Sequence, residues 1–196
     1  LLQAMQEHHV TIAGHSHHLP RPFHVLATQN PVEQEGTYPL PEAQLDRFLL
    51  QIDIGYPDAA TERRILLETT SGHETQAGTL MHAGSLMAIQ SLVRRMPVGD
   101  SIVSAILDLV RNARPGEGQA EITSYLAWGP GPRAGQALML AVRARALLEG
   151  RLAPSLDDVV ALAEPVLKHR MALTYSARAD NVTLPMLIKR LTERLS

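Results

Sequence analysis

The sequence predicts an α/β segment followed by an all-α bundle. Short strand-like patterns are confined to the stretch before Asp58, and from Asp58 onward every strong periodic signal is helical. The 196 residues are 45% hydrophobic and 19% charged, which supports packed structure and excludes disorder, collagen and coiled coil as the main state.

The elements follow in order. Residues 1–9 read as the end of a helix. Val10-Thr11-Ile12 alternates apolar and polar, Gly14-His15-Ser16 is a turn candidate, and His17-His18-Leu19 returns, which predicts a β-hairpin. Pro20 and Pro22 break it. Residues 23–28 form a mostly apolar run that ends in polar Gln29-Asn30-Pro31, as a buried strand of a parallel sheet ends at its carboxyl edge. Residues 32–41 hold Gly36, Pro39 and Pro41 and read as loop. A short helix is predicted over 42–48. Leu50, Ile52 and Ile54 alternate with Gln51 and Asp53, which predicts another strand.

Asp58 supplies an N-cap for a helix to about residue 69. Residues 70–84 are rich in Gly, Thr and His and read as a mobile loop. Leu86, Ile89, Val93 and Met96 fit one helical face, and Ile102, Ala105, Ile106, Leu109 and Val110 fit the i, i+3, i+4, i+7 pattern. After a loop over 114–120, a long helix is predicted over 132–149. Its apolar face is read as Ala137, Leu140, Ala141, Ala144, Leu147 and Leu148. Ser155 with Asp158 resembles a capping box and starts a helix whose face is Leu156, Val159, Val160, Ala163, Val166 and Leu167. Leu184, Leu187, Ile188, Leu191 and Leu195 form a final amphipathic stretch, expected to pack on the preceding helices.

Several function classes drop out. The absence of cysteine removes disulfides, zinc fingers, iron–sulfur sites and thiol catalysis. A net charge of −2 gives no footprint for general nucleic-acid or membrane binding, and 4% aromatics leaves little for base stacking. No apolar run reaches the roughly 18 residues of a membrane span, so no membrane insertion is expected. Six of the nine histidines precede residue 25, and His15, His17 and His18 could ligate a transition metal, but they sit at a predicted exposed turn with no carboxylate near in sequence. No resident metal is expected.

The most informative segment is residues 27–48, Ala-Thr-Gln-Asn-Pro-Val-Glu-Gln-Glu-Gly-Thr-Tyr-Pro-Leu-Pro-Glu-Ala-Gln-Leu-Asp-Arg-Phe. It resembles the signature of the MoxR family of AAA+ ATPases. Residues 2–7, Val10-Thr11-Ile12, Gly131-Pro132-Arg133-Ala134, Ser155-Leu156-Asp157-Asp158-Val159 and residues 165–170 are similar to that family as well. The resemblance covers about residues 1–175. It implies the C-terminal portion of an AAA+ P-loop NTPase core, a parallel sheet remnant with a β-hairpin, followed by a helical lid. The implied division is 1–57 for the core, 58–176 for the lid and 177–196 for a C-terminal amphipathic helix.

Three residues acquire roles by that resemblance. Asn30, by pattern a turn former before Pro31, matches sensor 1, which helps orient the water that attacks the γ-phosphate. Arg47, by pattern a surface ion pair with Asp46, resembles the arginine finger that reaches into a neighbouring subunit's ATP. Arg133, by pattern a solvated arginine in the first turn of a helix after Pro132, resembles sensor 2, touching the γ-phosphate of its own subunit. Glu33 and Glu35 lie in the loop and read as loop structure or interface.

A Walker A loop needs Gly-x4-Gly-Lys-Ser/Thr, and the only lysines, Lys168 and Lys189, follow Leu167 and Ile188. No apolar strand ends in Asp-Glu, so Walker B is missing too. The expectation is therefore that residue 1 is not the native start and that this chain alone is inactive. The full-length protein would use ATP and Mg²⁺ in a cytoplasmic homo-oligomeric ring, hexameric in the family's pattern. It would remodel a client or assemble a metal cofactor, beside von Willebrand A-domain proteins, without nucleic acid. The alternatives are a magnesium-chelatase-like AAA+ subunit and a non-catalytic helical interaction domain.

Overall fold

The computed structural model describes residues 2–29, 40–71 and 78–195. Asn30, Glu33 and Glu35 lie outside the described residues, as do residues 72–77 of the loop predicted over 70–84. A short helix α1 (Leu2–Glu7) leads into strands β1 (His9–Ile12) and β2 (His15–His18), paired antiparallel with His9 opposite His18 and Ile12 opposite His15. The turn is Ala13-Gly14, one position earlier than the sequence pattern suggested. Both residues have positive φ, 50° and 82°, as a tight two-residue hairpin loop requires.

The two other strands predicted before Asp58 do not form. Residues 23–29 are irregular, with Leu26 97% exposed, and residues 50–54 are likewise irregular, with Ile54 92% exposed. A strand needs at least one hydrogen-bonded strand beside it. Among the described residues neither run has one, so the expected parallel sheet remnant is replaced by the isolated hairpin. Gln51 bonds elsewhere: its N–H donates to Pro165 O at 2.8 Å. The predicted helix over 42–48 is one turn, α2 (Glu42–Leu45), closed by bonds from Asp46 N–H to Glu42 O and from Phe48 N–H to Leu45 O.

The helical part follows the periodicities closely. Helix α3 (Ala59–Thr69) is capped by Asp58, whose carboxylate accepts from Thr61 N–H at 2.7 Å. Helices α4 (Ala83–Arg95) and α5 (Asp100–Asn112) come next, and α5 buries Ile102, Ile106, Leu109 and Val110 as its spacing predicts. A one-turn helix α6 (Ala120–Thr123) and strand β3 (Leu126–Trp128) lead to α7 (Pro132–Leu148). Helix α8 (Leu156–Leu167) starts at Ser155, whose N–H donates to Asp158 at 2.8 Å. It ends in a 3₁₀ turn (Lys168–Arg170). Strand β4 (Ala172–Leu173), α9 (Tyr175–Ala179) and α10 (Leu184–Thr192) complete the chain.

One core joins α5, α7, α8 and α10, whereas α3 and α4 bury no residue. It contains Leu109 of α5, Leu138 and Val142 of α7, Val159 and Val166 of α8, and Leu187, Ile188 and Leu191 of α10. The buried face of α7 is Ala134, Ala137, Leu138, Ala141, Val142 and Ala146. This corrects the sequence reading, which placed Leu148 inside; it is 87% exposed. Helix α7 contacts α4, α5 and α8 on different sides, so its apolar residues surround more than one stripe and periodicity alone misplaces the face. Val160, also read as inward, is 43% exposed. The β3–β4 pair, with Leu126 opposite Leu173, is too short to leave an alternation in the sequence.

Candidate functional site

Two of the three candidate residues meet at one place. A shallow cavity of about 260 Å³ is lined by Arg47, Asp46 and Leu49 from the segment after α2, by Arg133, Gln136, Ala137 and Leu140 of α7, and by Met5 and Arg170. Arg133 stands in the first turn of α7, where Pro132 needs no N–H partner and the helix end is positive. The loop entering α7 is fixed by Arg114, whose Nε donates to Pro130 O at 2.9 Å. Gly129 in that loop passes so close to the Ala113 carbonyl that a Cβ there would collide with backbone.

Asp46 organises the floor. Its Oδ1 accepts from Arg170 Nε at 2.9 Å, and its Oδ2 lies 3.6 Å from Arg133 Nη1. The ordinary sequence reading, an Asp46–Arg47 surface pair, is thus not what forms. Arg47 instead leaves Nε and Nη1 buried with no hydrogen-bond partner. An unsatisfied buried donor costs about 1–3 kcal/mol, more when charged, so such a group is poised for an acceptor. Three arginines around one carboxylate leave the cavity cationic, and planar guanidinium forks match phosphate oxygens.

Below the cavity the end of α8 grips residues 46–53. Arg170, 3% exposed, donates from Nη2 to Phe48 O at 2.5 Å and Asp46 O at 3.0 Å, and from Nη1 to Leu49 O at 3.3 Å. Burial pulls the Arg170 guanidinium below its ordinary range, and Asp46 opposes that shift. His169 Nε2 donates to Phe48 O at 3.1 Å while its Nδ1 has no partner. Burial, with Arg170 and Lys168 nearby, pushes the His169 imidazole down to about 4 despite the Phe48 carbonyl. Lys168 Nζ pairs with Asp53 at 2.6 Å, and that hydrogen bond holds the Asp53 carboxyl below the usual range.

Asp46, His169 and Arg170 are functional candidates that sequence reasoning did not single out. A basic Lys-His-Arg run closing an apolar helix was the available signal, since three such residues at a buried helix end need acceptors. The histidine-rich hairpin offers less: His9 and His18 stack edge to face at 6.1 Å. Among the described residues no group of three potential ligands converges on a metal position.

Comparison with known proteins decides the family. Residues 1–50 match the model described as "ATPase family associated with various cellular activities (AAA)", and residues 119–190 match "AAA lid domain". "Chaperone MoxR1" of Mycobacterium tuberculosis is 38% identical over 198 residues, covering 100% of this chain and 52% of that protein. The chain belongs to the MoxR family of AAA+ ATPases. "Protein MoxR" of Paracoccus denitrificans is 33% identical over 96% of this chain and 59% of its own length. The crystal structure of a candidate ATPase from Cytophaga hutchinsonii superposes with a TM-score of 0.89 at 32% identity, over 100% of this chain and 60% of that one. The chain spans a little over half the length of the MoxR relatives it matches. The MoxR fold seen here is an AAA+ core segment joined to a helical lid.

Proposed function

We propose that Arg47 and Arg133 together bind the phosphate end of ATP in a chaperone-type MoxR ATPase. The observation that carries this reading is that Arg47, whose buried Nε and Nη1 have no hydrogen-bond partner, lines the same cavity as Arg133. Because both side chains open on one cavity, we assign them to the same nucleotide rather than one to each of two. Arg47 has the surroundings of an arginine finger: charged, partly desolvated and unpaired until an anion arrives. Arg133 adds a second cation at a helix N-terminus, where the backbone also favours negative charge. Asn30 completes the set as the residue that orients the attacking water.

The described residues fit the phosphate side of the site. No group of three potential metal ligands occurs among them. Residues 1–57 are read as core and the rest as lid, with α10 joined to the lid through Leu187, Ile188 and Leu191. The whole protein would act in the cytoplasm as a homo-oligomeric ring, a hexamer, in which Arg47 and Arg133 both reach a neighbour's nucleotide, so that Arg133 departs from the own-subunit contact that the resemblance implied. Its turnover would remodel a client protein or load a metal cofactor, with von Willebrand A-domain proteins as partners. No helix among the described residues is long and apolar enough to cross a membrane.

The test is steady-state ATP hydrolysis by the full-length protein. Arg47→Ala should lose about 10³-fold or more in kcat, as removal of an arginine finger does elsewhere, while ATP still binds. Arg133→Ala should lower kcat and weaken ATP binding together. Near-normal turnover in Arg47→Ala would refute the assignment.

A further inference from the structure

We propose that Arg170 is a positioning residue that latches the segment carrying Arg47 to the lid, so that Arg47 and Arg133 are presented as one unit. The inference rests on the phosphate-binding reading of those two arginines and adds what holds them in register.

Arg170 uses its whole donor fork. Its five bonds run to Asp46 Oδ1, Asp46 O, Phe48 O, Leu49 O and, within its own helix end, Val166 O. Four of the five acceptors lie on residues 46–49, more than 120 positions earlier in the chain. Such a set fixes the segment both along and across its axis. Lysine, a point charge with three donors, cannot span those acceptors. Arg47 lies between Asp46 and Phe48, two of the three residues held, and its own guanidinium takes no part in the latch.

The second link is Asp46. One carboxylate oxygen meets Arg170 and the other faces Arg133, so the buried arginine, the carboxylate and the exposed arginine form a row beneath the cavity. A contact serving stability alone would not need this arrangement, because apolar packing of the same volume does as well as a buried ion pair. A row that ends on Arg133, built on the segment whose backbone carries Arg47, transmits lid position to the site. If the lid shifts when nucleotide arrives or leaves, the segment at 46–49 shifts with it, and Arg47 keeps its place relative to Arg133.

The experiment compares Arg170→Lys, Asp46→Asn and Arg47→Ala in the ATP-hydrolysing full-length protein, each confirmed folded by its unfolding midpoint. Arg170→Lys should lower kcat about tenfold or more while the KM for ATP moves less than about threefold. Amide exchange over residues 45–51 should speed up while α5 and α7 stay protected. Asp46→Asn keeps the three backbone acceptors, so it should fold even if Arg170→Lys does not, and it should lower kcat in the same direction by less. Wild-type kcat in a folded Arg170→Lys overturns the latch, and so does wild-type kcat in Asp46→Asn if the lysine variant does not fold. A rise in KM at unchanged kcat overturns it too. If Arg47→Ala alone loses turnover, the phosphate reading survives and the latch falls; if Arg47→Ala keeps turnover, the phosphate reading itself fails.

Discussion

Acidification should weaken the junction between the lid and residues 46–53 through His169. The ring is buried, donates from Nε2 to the Phe48 carbonyl and has no acceptor at Nδ1. Protonation would place a charge and an unsatisfied N–H in that position, beside Arg170 and Lys168. The folded imidazole titrates at about 4, against an ordinary value of 6.5. Between those values the unfolded chain holds the proton and the folded chain does not, so stability falls as pH falls through that window. At about 1.36 kcal/mol per pK unit, the loss is about 2 kcal/mol from pH 7 to 5 and about 3 kcal/mol once pH reaches 4. For a chain of this size 2 kcal/mol is a drop of about 4–8 °C in Tm. The assay is urea unfolding followed by circular dichroism at pH 7 and pH 5, for the wild type and His169→Gln. Glutamine retains a donor for Phe48 O but does not titrate. The variant should lack about 2 kcal/mol of the wild type's pH-dependent loss. Asp53 and Asp158, also held below the ordinary carboxyl range by Lys168 and Arg151, contribute equally to both proteins and cancel. Identical pH dependence in the two proteins would refute the reasoning.

Two further predictions concern the lid core. Leu138→Ala, at a fully buried position between α7 and its neighbours, should cost about 2–5 kcal/mol in the same unfolding assay, whereas Leu148→Ala on the exposed side should change stability by less than about 0.5 kcal/mol. Arg151→Met should lower the unfolding midpoint, because Asp158 is 1% exposed and Arg151 reaches both its oxygens, at 2.6 and 2.8 Å, leaving only Arg145 at 3.5 Å. The loss should shrink on acidification, as Asp158 takes up a proton.

What the sequence made legible divides along a physical line. Helices that bury one clear face, α5 and α10, could be read from spacing, and the caps at Asp58 and Ser155 could be read from side-chain chemistry. Helix α7 could be located but not oriented, since it is packed from several sides. The strands expected at 23–28 and 50–54 depend on neighbours that are not local in sequence, and without such neighbours the second run instead lies along α8. At the site, Arg47 and Arg133 could be named from motifs, but their meeting in one cavity depends on a lid folding back over 80 residues later. Arg170 was hidden for the same reason: its acceptors are mostly backbone carbonyls, which no side-chain motif reveals.

The central claim is that Arg47 and Arg133 serve one phosphate group. The most direct measurement is a structure of the full-length assembly with Mg²⁺ and a non-hydrolysable ATP analogue. The account predicts nitrogens of both guanidinium groups within about 3 Å of oxygens on the same terminal phosphate. Finding the two arginines on different nucleotides, or Arg47 still without an anionic partner, would contradict it.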